Sequence, residues 1–426
     1  MKKNYLFLAA ATTLFAACVQ TDVVTDIPEP QQQAISFETF ANKQTRAENS
    51  GAGYKANDLS NHHTTFKVWA SKLVAENDPS TNATSKYVPV YADNAPGTVT
   101  YTSSWTASPL KYWDKTATSY EFYAAAPAVP SQFDANDAII YGWVATNTNS
   151  ASGYLKFINY VLKGTSSDNL ASITPTNDAW TELDDVNDID LMIAAPCNVP
   201  NANYKTTPSA VNLNFIHILS RLNIAVKATT TANGATYSPE IVLTELNVCG
   251  LKNKGTFTES TVNTLASGTH VRWSNTESVD IDVNSTPYVL QAHIDGNGLT
   301  LTQTAQYTHK YLIIPQLVEN KSASANVASA PNNGEVYLQI KYTVDSEEYE
   351  TYYSLAQAFG IAFDNQDNDT ENLAFNEGWQ NTLTITISPD EITFTGDVAA
   401  WDNKNNNTSD DTNDPDSDPD DDVVID

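Results

Sequence analysis

Basic residues are scarce in this sequence. It contains 22 lysines and arginines against 51 aspartates and glutamates, which gives a formal net charge of −29 at pH 7. Binding to nucleic-acid phosphates requires clustered positive charge, so the composition argues against a nucleic-acid partner. The same shortage argues against docking of a basic patch on anionic lipid.

Cysteine is also scarce, and catalytic motifs are absent. The chain has three cysteines in 426 residues, too few for a disulfide framework. Apart from Cys18, we expect Cys197 and Cys249 to be free buried thiols, although a pair between them stays open. The sequence has no zinc-protease motif, no C-x-x-C pair, no serine-hydrolase elbow and no phosphate loop. We therefore expect no enzyme, no metal site and no cofactor.

Histidines are the remaining residues with catalytic or metal-binding chemistry. His62 and His63 are adjacent, with no cysteine or carboxylate nearby in the sequence, so an exposed loop pair is expected rather than a metal site. His217 lies in a predicted strand. We expect it to be a hydrogen-bonded structural histidine and not a catalytic base.

Long hydrophobic runs are missing, apart from one short run at the amino terminus. Residues 5–17 are largely apolar and follow Lys2 and Lys3, a pattern typical of an export signal that is too short to span a bilayer. The run ends on small residues followed by Cys18, which matches a bacterial lipobox. We therefore expect a signal peptide over residues 1–17 and a lipid on the Cys18 thiol. An ordinary secretory signal with an incidental cysteine is the alternative.

Strand patterns dominate the rest of the chain. Segments rich in Thr, Tyr, Val and Ile alternate between apolar and polar residues and are separated by Asn, Gly, Pro and Ser clusters. Helical periodicity is scarce, with one short turn expected at 355–360. The pattern predicts an all-β protein of two antiparallel sandwiches, over residues 47–211 and 212–402.

Both ends of the chain have a different character. Residues 19–33 are polar, and a possible strand follows in which Ile35, Phe37 and Thr39 share one face. Residues 403–426 form an acidic segment that we expect to be disordered. Asp414 begins a spacing that resembles a calcium loop, but Pro419 stands where that loop needs glycine. We therefore expect residues 403–426 to be a solvated tail and not a calcium site.

Several short segments, in this order, match one protein family. They are the lipobox, residues 35–37 (I-S-F), 45–47 (T-R-A), 112–113 (Y-W), 120–124 (Y-E-F-Y-A), 190–192 (D-L-M), 215–222 (F-I-H-I-L-S-R-L), 312–316 (L-I-I-P-Q) and 378–401. Together they resemble the fimbrillins of Bacteroidota, the subunits of type V pili. The acidic tail departs from the pattern of a plain stalk subunit.

The resemblance implies a fold and a maturation pathway. The implied fold is two tandem transthyretin-like β-sandwich domains. Subunits reach the outer membrane as lipoproteins, here through Cys18, and an Arg-specific protease then cuts after Arg46 to leave Ala47 first. The lipidated leader, residues 18–46, carries away a plug strand that includes Ile35 and Phe37.

The resemblance also implies how subunits join. The vacated groove accepts a carboxyl-terminal donor strand from another pilus subunit. In this sequence the apolar residues of the donor strand are Ile392, Phe394 and Val398, followed by Trp401. Homopolymers and heteropolymers are both open. The implied function is a structural subunit of an extracellular fimbrium that supports adhesion. The alternatives are a surface glycan-binding lipoprotein that keeps its lipid anchor, and an envelope hydrolase for which no residue can be named.

Overall fold

The structure is a computed structural model. It describes residues 33–41, 59–61, 63–78, 83–92, 94–128, 140–145, 153–162, 190–206, 208–229, 239–259, 263–264, 270–277, 289–292, 294, 296–318, 326–327, 336–364, 373–389 and 391–400.

Strands account for nearly all of the regular structure in these residues, as the alternating pattern predicts. The strands are β1 Phe37–Ala41, β2 Thr65–Asp78, β3 Ala83–Tyr91, β4 Gly97–Tyr101, β5 Trp105–Ser108, β6 Ser119–Ala126, β7 Ile140–Ala145, β8 Gly153–Val161, β9 Met192–Pro200, β10 Val211–His217, β11 Ser220–Ala228, β12 Ile241–Cys249, β13 Lys254–Thr258, β14 Asn263–Thr264, β15 His270–Val271, β16 Trp273–Glu277, β17 Val289–Gln291, β18 Leu299–Thr300, β19 Gln306–Ile313, β20 Gln316–Val318, β21 Asn326–Val327, β22 Tyr337–Val344, β23 Glu347–Ser354, β24 Leu373–Phe375, β25 Trp379–Ile387 and β26 Ile392–Ala400.

Helical structure is minor in the described part of the chain. The one α-helix, α1, spans Leu355–Asp364 and is longer than the turn expected at 355–360. Two 3-10 turns occupy Leu59–Asn61 and Asn201–Asn203. No helix among the described residues has the length and apolar character needed to cross a membrane.

The first large sheet has the strand order β1-β10-β9-β6-β2-β4-β5, with β3 also paired to β2. All of its pairs are antiparallel except β1 with β10, which run parallel. Alternation along β10 buries Val211, Leu213 and Phe215 on the core face. This face carries an aromatic core that includes Phe66 and Phe122.

The opposite face of the first sheet is also covered. Trp69 and Tyr123 from that face pack in one cluster with Phe157 and Phe257, which belong to the four-stranded sheet β16-β13-β8-β7. Since β8 precedes and β13 follows residue 211, this small sheet takes strands from both sides of the expected domain boundary.

A second core lies between two sheets of the carboxyl-terminal half. Sheet β19-β11-β25-β26 contributes residues such as Ile224 and Leu383, and sheet β17-β12-β22-β23-β21 contributes residues such as Val248 and Ile340. Two sheets with one apolar cluster between them form a β-sandwich.

The all-β fold class is confirmed, while the tandem transthyretin-like layout stays a prediction. β10 begins at the expected boundary of residue 211, yet it pairs with β1 and β9 of the first sheet. A division based on sheets would therefore place β10 with the first half. The limits 47–211 and 212–402 stay a prediction.

Candidate assembly site

The amino-terminal strand β1 lies at the end of the first sheet, beside β10. Its register runs from Phe37 opposite Val211 to Ala41 opposite Phe215. The Val211 N–H donates to the Ser36 carbonyl at 2.8 Å, which extends the contact beyond the strand itself. A segment at the beginning of the described chain thus depends on a distant strand for its sheet partner.

The residues just before β1 have a second backbone partner. The Ile35 N–H donates to the Lys111 carbonyl at 2.8 Å, and the Trp113 N–H donates to the Gln33 carbonyl at 3.0 Å. Ala34 forms an antiparallel bridge with Tyr112. We call the slot between β10 and residues 111–113 the seam, and residues 33–41 fill it.

The side chains in the seam alternate between core and solvent. Ile35, Phe37 and Thr39 are buried, whereas Ser36 and Glu38 are exposed. This is the face that the sequence predicts. Fully burying an Ile or Phe side chain contributes about 1.5–3 kcal/mol.

Phe37 occupies an aromatic pocket of the seam. Its ring meets Phe66 edge-on at 5.9 Å and Phe122 edge-on at 6.0 Å between centroids. Such edge-to-face geometry is favourable beyond the area that it buries. The segment is therefore held by its side chains as well as by its backbone.

The 111–113 border of the seam rests on an aromatic cluster of its own. The Trp113 ring stacks on Tyr204 at 4.7 Å with an interplanar angle of 5°, and it meets Tyr120 edge-on at 4.8 Å. The Tyr204 hydroxyl donates to the Ala117 carbonyl at 2.8 Å. None of these three contacts involves residues 33–41, although the border also makes backbone hydrogen bonds to Gln33 and Ile35.

Asp114 fixes the end of this border. Its N–H donates to the Tyr120 hydroxyl oxygen at 2.6 Å, and its carboxylate accepts a hydrogen bond from Lys72 at 2.7 Å. The hydrogen bonds of Lys72 and then Thr116 lower the pKa of Asp114 to about 2, against the opposing effect of its partial burial.

Buried charges lie at the far end of β10. His217 Nδ1 and Asp190 Oδ2 are 2.6 Å apart, and both side chains are buried. Burial alone would raise the pKa of Asp190, but the charge and hydrogen bond of His217, with the charges of Arg221 and His63, hold it below its usual value. The predicted hydrogen-bonded role of His217 is confirmed.

The expectation for His63 is wrong. His63 is not an exposed loop residue, because its side chain is half-buried and burial lowers its pKa, while the nearby Asp190 charge opposes that shift. His62 lies outside the described residues. Within the part of the chain that the structure describes, no three His, Cys, Asp or Glu side chains are grouped as metal ligands.

The predicted donor segment is strand β26, which pairs with β25 from Ile392 opposite Ile387 to Ala400 opposite Trp379. β26 ends the order of its sheet. Ile392 is half-buried, and Phe394 is buried with its ring edge-on to Tyr353 at 4.9 Å. The backbone of Val398 is opposite Asn381.

Other predicted site residues lie outside the described residues, namely Cys18, Arg46, Ala47 and Trp401. The thiols of Cys197 and Cys249 are free, the first half-buried and the second buried. Sequence reasoning missed the border at residues 111–113, although the Tyr112-Trp113 pair was one of the matching segments. It also missed Asp190 as the partner of His217.

Comparison with known proteins identifies the family. Residues 45–401 match the family described as fimbrillin-like. The chain belongs to the fimbrillin-like family. Membership supports a role of this fimbrillin-like protein as a pilus subunit in adhesion, assembled with other subunits at the cell surface or in an extracellular fimbrium. It implies a structural protein rather than an enzyme.

Solved structures similar to this fimbrillin-like protein are distant in sequence. A fimbrial protein from Bacteroides vulgatus shares 16% identity with a TM-score of 0.45, over 86% of this chain and 99% of that one. The tip fimbrial protein Mfa3 from Porphyromonas gingivalis, with a carboxyl-terminal truncation, shares 11% identity with a TM-score of 0.35, over 79% and 94% of the two chains. No curated protein matches the chain.

Proposed function

We propose that this fimbrillin-like chain is a type V pilus subunit that matures by loss of its leader and polymerises by donor-strand exchange. The precursor is anchored in the outer membrane through lipid on Cys18, and an Arg-specific protease cuts after Arg46. The observation that carries the proposal is the burial of Ile35, Phe37 and Thr39 in the seam, a few residues before Arg46.

Removing the leader would leave an empty seam with unpaired backbone groups and exposed apolar pockets. The Val211 and Trp113 N–H groups and the Lys111 carbonyl would lose their partners, and the pockets of Ile35 and Phe37 would open. Unpaired strand edges next to apolar slots favour the addition of a strand. At roughly 25 cal/mol per Å² of apolar surface, a few hundred Å² contribute several kcal/mol to binding.

The donor is the carboxyl-terminal segment of another subunit. β26 is at a sheet edge, so it can leave its own sheet without breaking pairing on two sides. Ile392, Phe394, Val398 and Trp401 supply the apolar contacts. Each subunit donates one segment and accepts another, and such head-to-tail contacts generate a filament.

The change Arg46→Ala tests the maturation step. We expect envelope protein from the wild-type gene to begin at Ala47 and to form fibres, because cleavage opens the seam. The Arg46→Ala precursor should keep its leader and stay unassembled. Amino-terminal sequencing and electron microscopy of labelled cells measure the two effects.

Lys43→Ala is the matched control, since it removes a neighbouring basic residue and leaves Arg46 in place. This variant should be processed and assembled like the wild type. Normal fibres from Arg46→Ala would contradict the proposed maturation. Wild-type protein that keeps lipidated Cys18 and binds a polysaccharide would instead favour the glycan-binding alternative.

A further inference from the structure

The seam segment and the donor strand share a short pattern. Residues 35–39 read I-S-F-E-T, and residues 392–396 read I-T-F-T-G. Both begin with isoleucine, continue with a hydroxyl residue and place phenylalanine third, in the same chain direction. In the proposed function these two segments occupy the seam one after the other, first the leader and then the donor strand.

The two segments also share a burial phase. In the first, Phe37 is buried between exposed Ser36 and Glu38. In the second, Phe394 is buried between the exposed residues 393 and 395. Because side chains alternate between the two faces of a strand, segments with equal phase present the same residues to a core. Either segment can therefore place an isoleucine and a phenylalanine inward and small or polar groups outward.

We propose that the donor strand of a neighbouring copy enters the seam parallel to β10, with Ile392 in the place of Ile35 and Phe394 in the place of Phe37. This register rests on the proposed function, because it assumes that the leader leaves and that a second copy replaces it.

The backbone of the seam accommodates this register. The Ile392 N–H would donate to the Lys111 carbonyl, and the Thr393 carbonyl would accept from the Val211 N–H, as Ile35 and Ser36 do in the structure. Residues 390–400 contain no proline, so every N–H in this stretch is available to a sheet.

Other registers leave the aromatic pocket poorly filled. A shift of one residue turns Ile392 and Phe394 toward solvent. A shift of two residues places either Gly396 or Ile392 beside Phe66 and Phe122, where Phe37 makes two edge-on contacts. The first of these leaves a cavity and the second loses the aromatic pairs, so both are less favourable.

A disulfide between two copies tests the register. Glu38 is opposite Asn212, and both side chains are exposed. In the proposed register Thr395 takes the position of Glu38, so Thr395→Cys in one copy and Asn212→Cys in another should be close enough to oxidise. The background carries Cys197→Ser and Cys249→Ala, and Cys18 is removed with the leader. The matched control pairs Thr393→Cys with Asn212→Cys, because Thr393 is two residues away on the same exposed face.

The two variants are mixed after cleavage by an Arg-specific protease, oxidised and analysed on a non-reducing gel. The proposal expects a disulfide-linked dimer from Thr395→Cys with Asn212→Cys and its loss with Thr393→Cys. Fibres that form without this dimer, or a dimer only with Thr393→Cys, overturn the register and leave donor-strand exchange standing. If the processed cysteine-free parent does not assemble at all, donor-strand exchange is overturned, and the register with it.

Discussion

Under the proposed maturation, the change Phe37→Ala perturbs the precursor without altering the processed subunit. Phe37 lies in the proposed leader, so cleavage after Arg46 would give a mature chain with the wild-type sequence. The variant therefore separates the stability of the filled seam from the stability of the assembled fibre. We expect a weakened precursor and an unchanged fibre.

The size of the effect follows from the contacts of Phe37. Its side chain is 5% exposed, and burial of a phenylalanine contributes about 1.5–3 kcal/mol. Its two edge-on contacts, with Phe66 and Phe122, add about 0.5–1.5 kcal/mol each. The total agrees with the cost of about 3–5 kcal/mol for truncating a buried phenylalanine to alanine. The seam should therefore open roughly 100- to 4000-fold more often.

Amide hydrogen exchange of the precursor measures this opening. The peptide of residues 209–217 contains β10, whose amides are protected only while the seam is filled or the sheet is closed. Exchange in this peptide should accelerate in Phe37→Ala. The control is Glu38→Ala, an exposed position on the same strand, which should change stability by no more than about 0.5 kcal/mol.

Two results would refute the reasoning. Unchanged exchange at residues 209–217 would mean that Phe37 does not hold the segment in place. Fibres from Phe37→Ala that melt below wild-type fibres would mean that the residue remains in the mature subunit. In that case the leader is not removed at Arg46.

Two further predictions concern the buried pair of Asp190 with His217 and the turn at Gly378. Asp190→Asn should lower the free energy of unfolding by about 3 kcal/mol, because it breaks a buried pair with His217, whereas the partly exposed Asp114→Asn should cost less than about 1 kcal/mol. Since the pKa of Asp190 is depressed in the folded protein, its contribution is present above pH 3.8, the ordinary pKa of an aspartate, and is lost as the pH falls from there through the folded pKa. Urea denaturation of Asp190→Asn should therefore be less pH-dependent under acid conditions. Gly378→Ala should lower the free energy of unfolding by about 1–2 kcal/mol, since Gly378 has a φ of 70°. Gly296→Ala is the control, because the glycine has open space around it, and thermal melting should show little change for this variant.

Local pattern was sufficient to predict individual strands and their buried faces. Ile35 and Phe37 alternate with polar neighbours, and so do the residues of β10, because each strand has one face toward a core. The turn before β25 was also predictable, since Gly378 supplies a backbone conformation with positive φ.

Long-range pairing could not be predicted from these patterns. The parallel pairing of β1 with β10 joins distant segments, and alternation identifies a buried face without identifying the neighbouring strand. The border at residues 111–113 acts through backbone groups, which leave no signature in the side chains. His63 has polar sequence neighbours, and the burial of this side chain near Asp190 comes from residues far along the chain.

The distance along the chain between β1 and its neighbour has a consequence for biosynthesis. The contact between Gln33 and Pro208 joins residues 175 positions apart. The amino-terminal segment is synthesised first. It can pair with β10 only after most of the first half of the chain has been made. Every new copy thus passes through a stage in which its slot is vacant, before any enzyme has acted on it. If subunits join by donor-strand exchange, the rate at which residues 33–41 first fill the seam, and not only the stability of the filled seam, limits untimely fibre growth.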